Sequence, residues 1–234
     1  MNTSFKKNFF LAALLPALFL PVPASDAGCS SAWEMHHAAA AAYPSPSIGS
    51  DTTAPDSRVE KAVLWAIGIA NNPSHGYSQG AENATSGNPY TGSREGPDYD
   101  CSSLVYHAFN QAGFPIIAAW QKNPAFYGEY NGQQETGDAD TIWQDLQVVG
   151  GFSKYSWDSV KNSLMRGDIL CDPQHHVAIY IGNGKTVEAR GVNNPRGGDW
   201  RTGDQGGEID FYEAQGRSWK EVYRCTQNWH RYDS

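Results

Sequence analysis

The stretch from His176 to Ala189, HVAIYIGNGKTVEA, restricts the fold more than any other part of the chain. Two alternating runs flank Asn183-Gly184, a pair that accepts the left-handed backbone of a tight turn, so the segment predicts a hairpin of antiparallel strands. Side chains alternate along a strand, which puts Val177, Ile179 and Ile181 on one face and His176, Ala178 and Tyr180 on the other. On the return, Val187 and Ala189 continue the apolar face while Thr186, Glu188 and Arg190 continue the polar one. An odd-numbered loop, such as a bulged turn supplies, makes His176 and Glu188 cross-strand neighbours.

The rest of the chain supplies partners for this hairpin. DILCD before it, and GGEIDFYE and WKEVYRC after it, are further alternating runs and predict strands. Upstream the spacing is helical. Val59, Val63, Ile67 and Ala70 recur at helix period, with Asp56 or Ser57 as the cap and Asn71-Asn72-Pro73 as the stop. A second helix is predicted from Cys101 to about Ala112, apolar at Leu104, Val105 and Ala108 and stopped by Gly113. A third is predicted around Thr141 to Val148, capped by Asp138 or Asp140. Between the first two lies SHGYSQGAENATSGNPYTGSREG, which has no period and predicts a long loop. Helices first and strands afterwards predict an α+β domain.

Lys6 and Lys7, the apolar run from Phe9 to Leu20 and the small residues Ser25 and Ala27 have the order of a secretory signal, cleaved after Ala27 or after Ala24. The run is too short, and too interrupted by Pro16, to span a membrane. Gly28-Cys29 raises lipidation, but Asp26 stands where an aliphatic residue is expected. HHAAAAAYPSPSIGSDTTAPDS cannot build a core and is expected to be a linker, in which His36 and His37 are incidental. The expected organisation is therefore a signal at 1–27, a linker at 28–57 and one folded domain at 58–234, secreted or held in the cell envelope. A formal net charge of −8 with no basic run argues against nucleic acid as a partner.

Cys101 falls in the first turn of the second predicted helix, where it could be a packed thiol, half of a disulfide, a metal ligand or a nucleophile. Unpaired amides at a helix start lower a thiol pKa. Asp100 works against that unless it caps the helix or meets a substrate amine. Taken singly, His176 is a strand-end histidine and Glu188 a solvated carboxylate. Opposite one another, with a cysteine available, they make a base and its orienter for acyl transfer by Cys101. The Cys101 amide is then a candidate oxyanion donor. His175 is a rival base, although alternation puts it on the side of Val177. Cys171, His175 and His176 lack a fourth ligand at a suitable spacing, so no metal or other cofactor is expected.

DCSSLV at a helix start, GDIL and HVAIYIGNGKTVEA stand in an order and spacing that resembles the NlpC-type papain-like peptidoglycan hydrolases, from about Val59 to the end of the chain. SHGYSQG and GDQGGEI resemble the secreted and phage-associated branch. The resemblance implies a papain-like fold, a curled antiparallel sheet packed on the helix that bears the nucleophile. It implies hydrolysis of amide bonds in peptidoglycan stem peptides through a thioester, often between D-glutamate and the following diamino acid. It also implies that Asp100 and Ser102 bind the amino end of the peptide and that His176, immediately before Val177, is the base. The third position is usually His, Asn or Gln in that family, where this chain has Glu188. A wall-binding module without turnover is the alternative that this departure raises. An acyltransferase of the same Cys-His type would need an apolar lid or membrane-facing helix, which the sequence lacks. The protein is expected to act as a monomer. In an exported protein, Cys171 and Cys225 on neighbouring strands are expected to form a disulfide, leaving Cys29 without a partner. The segment 191–207, with Arg196, Trp200 and Arg201, is a groove wall or a mobile loop. Trp120, Trp143, Trp157 and Trp219 are expected in the core or lining the groove.

Overall fold

Helix α1, Ser57–Ala70, forms where the apolar spacing predicts it and buries Val59, Ala62, Val63 and Ala66 against the core. A computed structural model describes residues 57–80, 94–126, 129–130, 133–190, 202–203 and 207–226. The expected signal, the linker up to residue 56, Cys29, Arg196, Trp200 and Arg201 lie outside the described residues. Helix α2, Cys101–Gln111, packs beside α1 and buries Leu104, Val105, Tyr106, Ala108 and Phe109. A short helix α3, Ile116–Trp120, follows. After the two-residue strands β1 (Glu129–Tyr130) and β2 (Gln133–Gln134) comes α4, Ile142–Val149. Its N-cap is Thr141 without a side-chain cap, rather than Asp138 or Asp140.

The remaining elements are β3 (Phe152–Ser156), the one-turn helix α5 (Trp157–Val160), β4 (Ile169–Asp172), β5 (His176–Gly182), β6 (Lys185–Ala189), β7 (Ile209–Glu213) and β8 (Glu221–Cys225). Six of the strands form one antiparallel sheet in the order β3-β8-β4-β5-β6-β7, open between its edges. Both faces are covered, which is why β5 is buried almost throughout. On one side α1 and α2 pack on Ile169, Val177, Ile179 and Val187. On the other, Leu170, Ala178, Tyr180 and Val222 meet Val160, Ala214 and Trp219. Each fully buried aliphatic side chain, such as Ile169 or Ile179, contributes about 1.5–3 kcal/mol. At Gly167, the turn before β4 comes so close to α1 that an added Cβ would lie 1.9 Å from Cγ1 of Val59, and φ is +90°. Only glycine fits there.

The β5–β6 hairpin turns at Asn183 and Gly184, both with positive φ. Tyr180 pairs with Thr186 and Gly182 with Lys185, so Ile181 is an extra residue, a bulge. A plain two-residue turn would put His176 and Glu188 on opposite faces, because a register slip of one residue reverses every side chain. The bulge restores the shared face, but with Glu188 diagonal to His176 rather than directly opposite it. Ile179 pairs with Val187, which places Ala178 across from Glu188. Diagonal neighbours on a sheet remain within reach of long side chains.

The expected Cys171–Cys225 disulfide is corrected by the register. β4 and β8 are indeed neighbours, but Cys171 pairs with Glu221, four residues from Cys225 along the strand. At about 3.3 Å per residue the two α-carbons are roughly 13 Å apart, well beyond the ~7 Å limit for a bridge. Cys225 sits instead across from Phe152 of β3. The two are not bridged to one another, and Cys171 donates to the Ala139 carbonyl at 3.4 Å. Titration of the unfolded, unreduced protein with a thiol reagent is expected to react with Cys101, Cys171 and Cys225 alike. Protection of Cys171 and Cys225 until reductant is added would contradict the register.

Candidate active site

Asp100 decides how α2 begins. Its carboxylate accepts from the Ser103 N–H at 2.7 Å, and the Ser103 hydroxyl accepts from the Asp100 N–H at 2.9 Å, a reciprocal cap that stabilises a helix by about 1 kcal/mol. Arg94 clasps the same carboxylate from the outer side, with Nε 2.7 Å from Oδ2 and Nη2 donating to Oδ1 at 3.1 Å. Nη2 also donates to the Ser102 hydroxyl at 2.7 Å, and Nη1 donates to the Thr136 carbonyl at 3.1 Å. Burial works against the guanidinium charge, yet Asp100, Glu95 and Asp138 raise the Arg94 pKa. Asp100 and Ser102, the residues that the resemblance assigns to a substrate amine, therefore both meet Arg94. Arg94 was not singled out in the sequence, since a lone arginine in a Gly- and Ser-rich loop carries no periodic signal.

Cys101 stands at the first position of α2, partly exposed, where helix-start amides have no intrahelical partner. The backbone of Val177, at the start of β5, acts to lower its thiol pKa. Helix-start geometry led to the expectation of a lowered thiol pKa, and the structure reverses it. Burial first, and then the charge of Asp100, push the thiol up to about 12, outweighing the Val177 amide and Arg94. At rest the Cys101 side chain is thus a thiol. Beside it lies the phenol of Tyr77, whose pKa is raised by burial and then by Cys101 and Asp100. Its loop, part of SHGYSQG, is pinned by Tyr77 N–H donating to Glu208 at 3.1 Å and Gly76 N–H donating to Asp98 at 2.8 Å.

His176 opens β5, and its Nε2 lies 2.8 Å from Oε2 of Glu188. Both side chains are buried, at 7% and 1% exposure. The other carboxylate oxygen accepts from the Thr186 hydroxyl at 2.8 Å. Burial alone would raise the Glu188 pKa, but the hydrogen bonds and charges around it hold the carboxyl below the usual range. An ionised carboxylate only accepts, so the imidazole carries its proton on Nε2 and leaves the Nδ1 lone pair free. Burial depresses the His176 pKa below the ordinary histidine value, against the pull of Glu188. Trp219 closes one face of the ring, stacked at 5.8 Å with its own N–H donating to the Ala214 carbonyl.

The rival base and the imagined zinc trio separate in space. His175 is 69% exposed and pairs with Asp172 at 3.0 Å in the turn before β5, while Cys171 faces the core. What comes together at the start of β5 is His176 with Glu188, and the helix that begins at Cys101 packs on the same strand. A cysteine at the start of a helix packed on the strand that carries a histidine–carboxylate pair is an arrangement from which acyl transfer can be built.

Residues 87–202 match the model of the NlpC/P60 family. The chain belongs to that family. An NlpC/P60 domain is generally a cysteine peptidase or amidase acting on peptidoglycan, and α2 packed on an open antiparallel sheet fits its papain-like fold. Among solved structures, the P60 domain of an antigen from M. avium subspecies paratuberculosis is 15% identical. The match covers 73% of this chain and 96% of that one at a TM-score of 0.40. NlpC1 from Trichomonas vaginalis is also 15% identical, over 75% of this chain and 46% of that one, at a TM-score of 0.37. A hypothetical invasion protein of Mycobacterium tuberculosis is 19% identical over 78% of this chain and 71% of that one, at 0.37. No curated protein matches the chain. Among the described residues of this NlpC/P60 protein, no helix is long and apolar enough to cross a membrane.

Proposed function

We propose that this protein is an exported cysteine peptidase or amidase that hydrolyses an amide bond in peptidoglycan stem peptides, the D-glutamyl bond to the diamino acid being the first candidate. The observation that carries the reading is the buried His176–Glu188 hydrogen bond at the start of the strand on which the Cys101 helix packs. In the proposed cycle, His176 Nδ1 takes the Cys101 proton as the sulfur attacks the carbonyl carbon. The oxyanion is met by helix-start amides, and collapse expels the amine, which takes the proton from His176. The resulting thioester is attacked by a water that His176 deprotonates, releasing a carboxylic acid and restoring the thiol. Because the resting sulfur is protonated, proton removal accompanies attack rather than preceding it.

The test is incubation of the mature chain with purified peptidoglycan across a pH series. Soluble stem-peptide fragments are expected. The acid limb of the rate, where His176 becomes protonated and cannot act as base, is expected below the ordinary histidine range, following the depressed pKa. A second reading, a wall-binding module with little turnover, is favoured by the high thiol pKa. It would give sedimentation with peptidoglycan and no fragments at any pH.

A further inference from the structure

We infer that Arg190 and Arg217 are positioning residues that act through Glu188, holding its buried carboxylate ionised and keeping the His176 ring neutral at rest. This rests on the reading of His176 as the base.

A carboxylate at 1% exposure, left with one imidazole, would tend to draw a proton onto that ring, because a buried ion pair is favoured over a lone buried charge. Here two cations share it. Arg190 Nη1 lies 3.7 Å and Arg217 Nη2 3.6 Å from Oε2, the oxygen that also faces His176. They arrive from different directions, Arg190 just beyond the end of β6 and Arg217 just after the turn at Ala214–Gly216. Each is held by an aromatic face. The Arg190 guanidinium lies 3.5 Å over the Tyr212 ring, and that of Arg217 lies 5.8 Å over Trp219, the residue stacked on His176.

The other groups around the pair do not supply this charge. Thr186 donates a neutral hydroxyl to Glu188. Asp210, across from Glu188 on β7, has Oδ1 accepting from the Phe211 N–H. His175 and Asp172 pair with each other in the turn before β5, and Cys101 approaches from α2 as a neutral thiol. At Oε2, the oxygen that faces His176, two guanidiniums lie within 4 Å, and their nearness disfavours an imidazolium and favours the tautomer with a free Nδ1. Both cations lower the His176 pKa, in agreement with the geometry.

The experiment is an NMR titration of the His176 ring in the mature wild-type chain and in Arg217→Gln, Arg217→Lys, Arg190→Gln and the double Gln variant. Loss of either cation is expected to make His176 easier to protonate. At a fixed pH on the acid limb, the neutral fraction should fall about threefold to tenfold in Arg217→Gln and further in the double variant. Arg217→Lys, which keeps the charge, should stay near wild type, an outcome that a purely structural role would not produce. Arg190→Gln carries the test alone if Arg217→Gln does not fold. An unmoved His176 titration in the folded Gln variants would overturn the inference. Peptide release by the wild type, measured alongside, reports separately on the proposed function.

Discussion

Replacing Cys101 with alanine is expected to lower stem-peptide release by about 10⁴-fold or more, with the fold and wall binding retained. Removing the nucleophile of a triad that works as a unit costs that order of rate. Residue 101 as a whole keeps part of its surface exposed, so truncating it opens no sealed core cavity. Cys101→Ser is expected to be nearly as impaired. Circular dichroism and thermal melting of both variants should overlay the wild type. Retained peptide release in the alanine variant would remove Cys101 from the chemistry and leave His176 and Glu188 as a buried structural pair.

The second large effect falls on stability. Asp100→Ala is expected to destabilise the domain by about 3–5 kcal/mol, because it strips a buried guanidinium of its main partner as well as uncapping α2. At roughly 2–4 °C per kcal/mol for a domain of this size, the melting temperature should fall on the order of 10 °C. Asp100→Asn, which keeps a cap and one acceptor for Arg94, should lose less. A different role makes a different prediction. If Asp100 mainly bound the amino end of a substrate, Asp100→Ala would raise KM and leave the melting temperature unchanged. The contacts to Arg94 predict that the melting temperature moves.

The hairpin, helix α2 and the order of helices before strands were legible because each is a local pattern of period 2 or 3.6. The bulge at Ile181 was not, since nothing in IYIGNGK tells which residue is left out of the ladder, and it alone sets the diagonal offset between His176 and Glu188. β3 went unseen because FSKYS is a half-exposed edge strand without a clean alternation. The disulfide expectation failed for a related reason. Strand adjacency can be guessed from chain order, but register cannot, and a shift of four residues separates Cys171 from Cys225. The groups that tune the site, Arg94 around Asp100 and Arg190 with Arg217 around Glu188, are brought together only by tertiary folding. Each is an isolated arginine in the sequence. The thiol pKa was misread because a helix-start amide is visible in a sequence, whereas the burial that outweighs it is not.

The most direct test is mass spectrometry of a defined stem-peptide substrate after incubation with wild-type and Cys101→Ala protein. Hydrolysis by the wild type at one amide bond, giving two fragments whose masses sum to the substrate plus one water, with intact substrate in the alanine variant, is the predicted result. Intact substrate with both proteins, or the same fragments from both, would contradict the account.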